Sequence, residues 1–90
     1  MEKGEYQVEI KNSAKADLKK IKQSNLKDQF MLVVETLKND PYSPTQSFEK
    51  LVPKSEGRYS RRLNRQHRVV YKIDEKNKIV EIYSVWSHYE

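Results

Sequence analysis

From Tyr6 to Lys11 apolar and polar residues alternate, with Tyr6, Val8 and Ile10 set against Gln7, Glu9 and Lys11, the two-residue period of a half-buried strand. The period then lengthens. Ala14, Leu18 and Ile21 fall at helical spacing, Lys15, Lys19, Lys20 and Lys22 are left for water, and Asn12 and Ser13 stand where a helix would be capped. Ser24 and Asn25 interrupt this stripe. A second, more apolar one of Leu26, Phe30, Val33, Val34 and Leu37 runs on to Asn39, Asp40 and Pro41, where proline ends it. The spacing predicts two helices packed as a hairpin. Residues 41–47 are turn formers, and Phe48 to Leu51 predicts a short strand. Beyond Gly57 the character changes: Arg58 to Leu63, His67 to Ile73 and Ile79 to Trp86 are rich in β-branched and aromatic residues, split by Asn64-Arg65-Gln66 and by Asp74 to Lys78. These segments predict a three-strand antiparallel meander.

A strand, two helices and then consecutive strands predict an α+β fold in which two N-terminal helices pack on one face of a mostly antiparallel sheet and leave the other face open. Residues 1–90 are read as a single domain, with no internal repeat and no linker. A chain of this length buries only about 60 to 65% of its unfolded surface, so the core must be thin. Hydrophobic residues at 36% and aromatics at 10% are enough to fold it.

Charge narrows the partners. A formal net charge of +5 and a pI near 9.4 favour a polyanion: nucleic acid, anionic lipid or an acidic protein segment. No apolar run approaches the roughly 18 residues of a membrane span, and the N-terminus lacks a signal-peptide core, so a cytoplasmic protein without membrane association is expected. The absence of cysteine removes disulfides, thiolate nucleophiles and cysteine-based zinc sites together. His67 and His88 lack HExxH spacing, and Gly4 and Gly57 form no phosphate loop, so neither a metal nor a cofactor is expected. Any catalysis must use Glu, Asp, His, Arg, Lys or Tyr.

Strand pairing suggests where. If the connection at Asn64 to Gln66 sets Leu63 opposite His67, Arg62 lies opposite Arg68 on one sheet face, a repulsive pair unless an anion sits between them. If Ile73 pairs with Ile79, the even positions Arg68, Val70, Ile82, Ser84, Trp86 and His88 share that face. The odd positions Val69, Tyr71, Ile73, Ile79, Tyr83 and Val85 then meet the helices, with Glu81 the one awkward member. Lys50, Lys54, Arg58, Arg61 and Lys72, interleaved with Tyr59, Trp86 and Tyr89, add the mixture of cations and aromatics that a single-stranded nucleic-acid groove uses. A solvated basic face is the plain alternative, and His67, inside an apolar strand, reads as structural. The same residues supply what RNA cleavage by the ribose 2′-OH requires: Glu49 as base, His88 as acid, and Arg68 with Arg62 to stabilise phosphate charge.

Glu49-Lys50-Leu51, Gly57-Arg58-Tyr59-Ser60-Arg61-Arg62-Leu63, His67-Arg68-Val69-Val70-Tyr71 and Ser87-His88-Tyr89 together resemble the YoeB/Txe toxins of the RelE/ParE superfamily. The resemblance runs from Glu49 through Tyr71 and resumes at the end, whereas residues 1–45 match only in their order of elements. It implies a RelE-like, microbial ribonuclease-like fold and a type II toxin–antitoxin toxin that cuts messenger RNA in the ribosomal A site. It further implies Glu49 as general base, Arg68 as the phosphate-stabilising arginine, His88 as general acid, Tyr89 as the substrate-orienting aromatic and Arg62 as an auxiliary cation. Arg58, Lys50 and Arg61 join them as expected phosphate contacts. The implied partners are a YefM-like antitoxin with an acidic tail, the ribosome and a second copy of the toxin. The sequence departs from the family pattern at Lys50, Val52 and Glu90. Two other readings compete: a toxin of the same fold that acts without hydrolysis, and a basic nucleic-acid-binding module.

Overall fold

The computed structural model describes residues 5–51 and 57–85. In order along the chain these form β1 (Gln7–Ile10), α1 (Asn12–Lys22), α2 (Lys27–Asn39), β2 (Glu49–Lys50), β3 (Arg58–Arg62), β4 (Arg68–Asp74) and β5 (Ile79–Ser84). The strands make one five-stranded sheet in the order β1-β5-β4-β3-β2. All neighbours are antiparallel except β1, which runs parallel to β5. A parallel neighbour needs a crossover, and the α1–α2 hairpin begins it. α1 lies against β5 and α2 against β1, so the helices cover one sheet face, as the hydrophobic pattern predicts.

The core is the interface between that face and the helices. Ala14 and Ile21 of α1, Phe30, Val33 and Leu37 of α2, and Val69, Tyr71, Val80 and Ile82 of the sheet are all buried. Their spacing explains the elements: residues 14, 18 and 21 and residues 30, 33, 34 and 37 each fall on one helical stripe, while 69 and 71 alternate along β4. α1 is not capped in the expected way. Lys11 occupies the N-cap position without a side-chain hydrogen bond, and Ser13 Oγ instead donates across to the Tyr83 carbonyl at 2.7 Å. The serine hydroxyl thus ties the helix to β5 rather than closing its own first turn.

At one end of the sheet, Tyr6 and Tyr42 both donate their hydroxyls to Glu75 Oε2, at 2.8 and 2.5 Å, and Lys78 Nζ donates to Glu75 Oε1 at 3.1 Å. These donors hold the Glu75 carboxyl below the usual carboxylate range, the Tyr42 hydroxyl first. The cluster joins the residue preceding β1, the loop after α2 and the β4–β5 turn.

The β4–β5 register corrects the sequence expectation. Asp74 pairs with Ile79 and Ile73 with Val80, one residue away from the Ile73–Ile79 pairing. Asp74 stays in the ladder while its carboxylate accepts from the Asn77 backbone and side-chain amides at 3.2 and 2.9 Å. Lys78 then closes a tighter turn in the left-handed region, at φ 57°. Val80 and Ile82 therefore face the core, and Glu81, pairing with Lys72, moves to the open face, which removes its awkwardness. A β-bulge opposite Val70 and Tyr71 leaves Tyr83 as the additional residue. The bulge restores the expected parity: Ser84 pairs with Val70, and Val85 is buried.

Candidate active site

The β3–β4 connection is set locally. Asn64 Oδ1 accepts from the backbone amides of Gln66 and His67, both at 2.8 Å, and Leu63 N–H donates to the His67 carbonyl at 2.8 Å. This fixes the register in which Arg62 lies opposite Arg68, as expected from the loop length. Glu49 reaches the same face from the edge strand, because β2 pairs Glu49 with Ser60 and Leu51 N–H donates to the Arg58 carbonyl at 2.9 Å.

Arg68 Nη1 lies 3.5 Å from Glu49 Oε1, with the two side chains 19% and 60% exposed. A contact this long is at the limit of a hydrogen bond, and an exposed pair contributes little to stability. Its significance is its composition. A carboxylate able to take a proton stands beside a guanidinium able to hold a phosphate, and Arg62, exposed, faces Arg68 from the neighbouring strand. A bound phosphate would screen the two arginines from each other and leave Glu49 free to accept a proton.

The chain reaches β2 through residues 41–48, and that loop is held from beneath by Arg61. Its guanidinium donates through Nη1 to the Thr45 carbonyl and through Nη2 to the Pro41 carbonyl, each at 2.8 Å, and lies 4.7 Å from the Phe48 ring centroid. The Tyr71 hydroxyl donates to the same Pro41 carbonyl at 3.0 Å, and burial pushes its phenol up to about 12. Phe48, Tyr59 and Tyr71 stack in series, with centroids 5.4 and 5.9 Å apart. Gln46 and Ser47 both adopt φ 55°, a conformation that costs non-glycine residues energy and turns the chain into β2.

The expected site residues therefore divide. Glu49, Arg68 and Arg62 come together on the open face, and Arg58, opposite Lys72, lies further along it. Arg61 does not join them. It is completely buried on the helix side, opposite Val69, so it supports the loop and is not a phosphate contact. Lys50 alternates with Glu49 and turns to the opposite face, where its ammonium lies 5.7 Å from the Tyr59 ring centroid. His88 and Tyr89, with Trp86, Lys54, Val52 and Glu90, lie outside the described residues. Sequence reasoning missed Tyr83, which the shifted β4–β5 register places on the open face with Glu81: its hydroxyl donates to Glu81 Oε1 at 3.3 Å, and Lys72 Nζ is 5.4 Å from its ring centroid. The slip depends on the left-handed backbone of Lys78, which no periodicity marks, so no signal in the sequence would have found it. Among the described residues no group of three or more His, Cys, Asp or Glu side chains is placed to hold a metal, and no helix is long and apolar enough to cross a membrane.

Two helices on one face of a five-stranded mixed sheet are the architecture of the YoeB and RelE toxins. The YoeB dimer structure from Staphylococcus aureus superimposes with a TM-score of 0.79 at 26% identity, covering 94% of this chain and 99% of that one. The heterotetrameric YoeB-YefM toxin–antitoxin complex from the same organism gives 0.74 at 28% identity, over 93% and 98% of the two chains. The YoeB/ParE toxin from Agrobacterium tumefaciens, at 20% identity, shares the fold with a TM-score of 0.79 over 92% and 99%. No curated protein matched in sequence. Residues 8–90 match the ParE toxin family of the type II toxin–antitoxin system parDE, and the chain belongs to that family. It is thus a type II toxin of the RelE/ParE superfamily.

Proposed function

We propose that this toxin is a ribosome-dependent, metal-independent endoribonuclease that cuts messenger RNA and so stops translation. The observation that carries the reading is the meeting of Glu49 and Arg68 at 3.5 Å on the uncovered face, with Arg62 opposite Arg68. Glu49 takes the proton of the ribose 2′-OH as that oxygen attacks the adjacent phosphorus. Arg68 and Arg62 stabilise the charge that builds on the non-bridging oxygens. The bond from phosphorus to the 5′-oxygen breaks, and the departing oxygen takes a proton from His88, the acid that the family resemblance supplies, while Tyr89 orients the substrate. The products are a 2′,3′-cyclic phosphate, which opens to a 3′-phosphate, and a 5′-hydroxyl.

The similarity to YoeB in its dimer and in its complex with YefM supports a homodimer and a YefM-like antitoxin as partners, and the net charge of +5 suits both an acidic antitoxin tail and RNA. The test is primer extension on a transcript translated in vitro, with the fragment ends analysed chemically. Cuts that need ribosomes, carry cyclic phosphate or 3′-phosphate ends, and fall by about 10² or more in Glu49→Gln and in Arg68→Ala are expected. If Arg68→Ala and His88→Ala both cut as well as the parent, or if the fragments carry 5′-phosphates, the proposal fails. A toxin of this fold acting without hydrolysis would arrest growth and leave transcripts whole.

A further inference from the structure

The open face carries a second pair of facing cations that the cleavage chemistry leaves unused. Arg58 pairs with Lys72 across β3 and β4, as Arg62 pairs with Arg68, and both pairs point away from the helices. Between them lies the row of Glu49, Ser60, Val70 and Ser84. Lys72 lies four positions beyond Arg68, so the pairs are about 13 Å apart at the strand rise of about 3.3 Å per residue. That is too far for one phosphate to touch both. Cation pairs repeated along one face match a polyanion whose charges recur at intervals.

Tyr83, two residues on from Glu81 on the same face of β5, stands along the strand between the levels of the two pairs. Its ring is half-buried, its hydroxyl is tied to Glu81 at 3.3 Å, and Lys72 Nζ lies 5.4 Å from its centroid. Glu81, the carboxylate nearest Lys72 in the ladder, is engaged by Lys11 at 3.7 Å as well as by Tyr83, so Lys72 sits over the ring rather than on the acid. A cation and an aromatic side by side are the two elements that bind single strands, one for the backbone and one for a base.

We infer that Lys72, with Arg58 opposite it and Tyr83 beside it, forms a second subsite for single-stranded RNA, holding a phosphate that flanks the scissile one while Tyr83 stacks on a base between them. The inference rests on the proposed ribonuclease function and extends its substrate contact along the sheet.

The test uses programmed ribosomes carrying synthetic messenger RNAs in which one neutral methylphosphonate at a time replaces a linkage flanking the cleavage site. The parent toxin should lose rate severalfold at one flanking position. Lys72→Gln should be slower on the normal substrate by a similar factor and indifferent to that one replacement, with an unchanged urea midpoint. In parallel, binding of a short single-stranded RNA to the Glu49→Gln protein should show a salt slope smaller by about 0.7 when Lys72→Gln is added. Tyr83→Leu should weaken that binding more than Tyr83→Phe. A parent that cuts but shows a flat methylphosphonate scan overturns the subsite alone, whereas a parent that cuts no RNA overturns the underlying function. If Lys72→Gln weakens binding of an acidic antitoxin segment while RNA binding and cleavage stay as before, the track serves a protein and the subsite is wrong.

Discussion

Replacing Arg61 by alanine separates a supporting residue from a substrate contact. The side chain is fully buried and donates two hydrogen bonds of 2.8 Å, to the Thr45 and Pro41 carbonyls. Bonds from a charged donor contribute about 1.5 to 3 kcal/mol each. The Pro41 carbonyl keeps the Tyr71 hydroxyl and the Thr45 carbonyl keeps the Phe48 N–H, each at 3.0 Å, so the substitution orphans neither acceptor, but it removes two charged bonds and the cation from the Phe48 ring and leaves a void. Together these set a loss of about 3 to 5 kcal/mol, against a total stability of roughly 5 to 13 kcal/mol for a domain of this size. Urea unfolding followed by circular dichroism should show the midpoint falling with the slope unchanged, and the melting temperature should drop by at least about 12 °C. Cleavage should fall as well, because loop 41–48 leads into the strand that carries Glu49. If the Arg61→Ala protein unfolds at the parental urea concentration and loses only RNA affinity, the reasoning is refuted and Arg61 is a phosphate contact.

Other expectations follow from the same structure. Tyr71→Phe removes the 3.0 Å bond to Pro41 and should cost about 1 kcal/mol in urea titrations without lowering the cleavage rate tenfold. Ile82→Ala, at a position with no exposed surface, should cost about 2 to 5 kcal/mol by the same measurement. Glu75 is held below its unfolded value chiefly by the Tyr42 and Tyr6 hydroxyls and then by Lys78. Its contribution is therefore complete above the ordinary glutamate range and lost as the pH falls through the lowered folded value. Unfolding curves across the acid range should show Glu75→Gln flattening that loss; an acid limb identical to the parent's would count against the cluster.

Much of the fold was legible because burial writes itself into the sequence with a period. The stripes of α1 and α2, the alternation of β1 and the meander all follow from where apolar side chains recur. Arg62 facing Arg68 was legible because a short loop with Asn64 at its start fixes the pairing. What was hidden has physical causes too. The β4–β5 register slipped by one because Lys78 accepts a left-handed backbone that an ordinary lysine disfavours. The bulge at Tyr83 then compensated, so Ser84 and Val85 faced the expected ways for a reason the alternation could not reveal. Grouping Arg61 with Arg58 and Arg62 as a basic run hides what the same strand parity already implies: with Arg62 opposite Arg68, Arg61 lies opposite Val69 on the buried side, where the Thr45 and Pro41 carbonyls hold it. The capping pair Asn12 and Ser13 failed as a signal because Ser13 found an acceptor 70 residues away on β5.

The parallel pairing of β1 with β5 bears on when the molecule takes shape. β1 is made first, yet its ladder partner is the last described strand, so closing that pair requires joining distant parts of the chain after the intervening helices and hairpins exist. Contacts this far apart slow folding, because the entropy of ring closure is lost before the new pairing compensates it. During synthesis β1 and the helices must wait for β5 to emerge from the ribosome, so the pair that completes the described sheet forms only after its last described strand has been released.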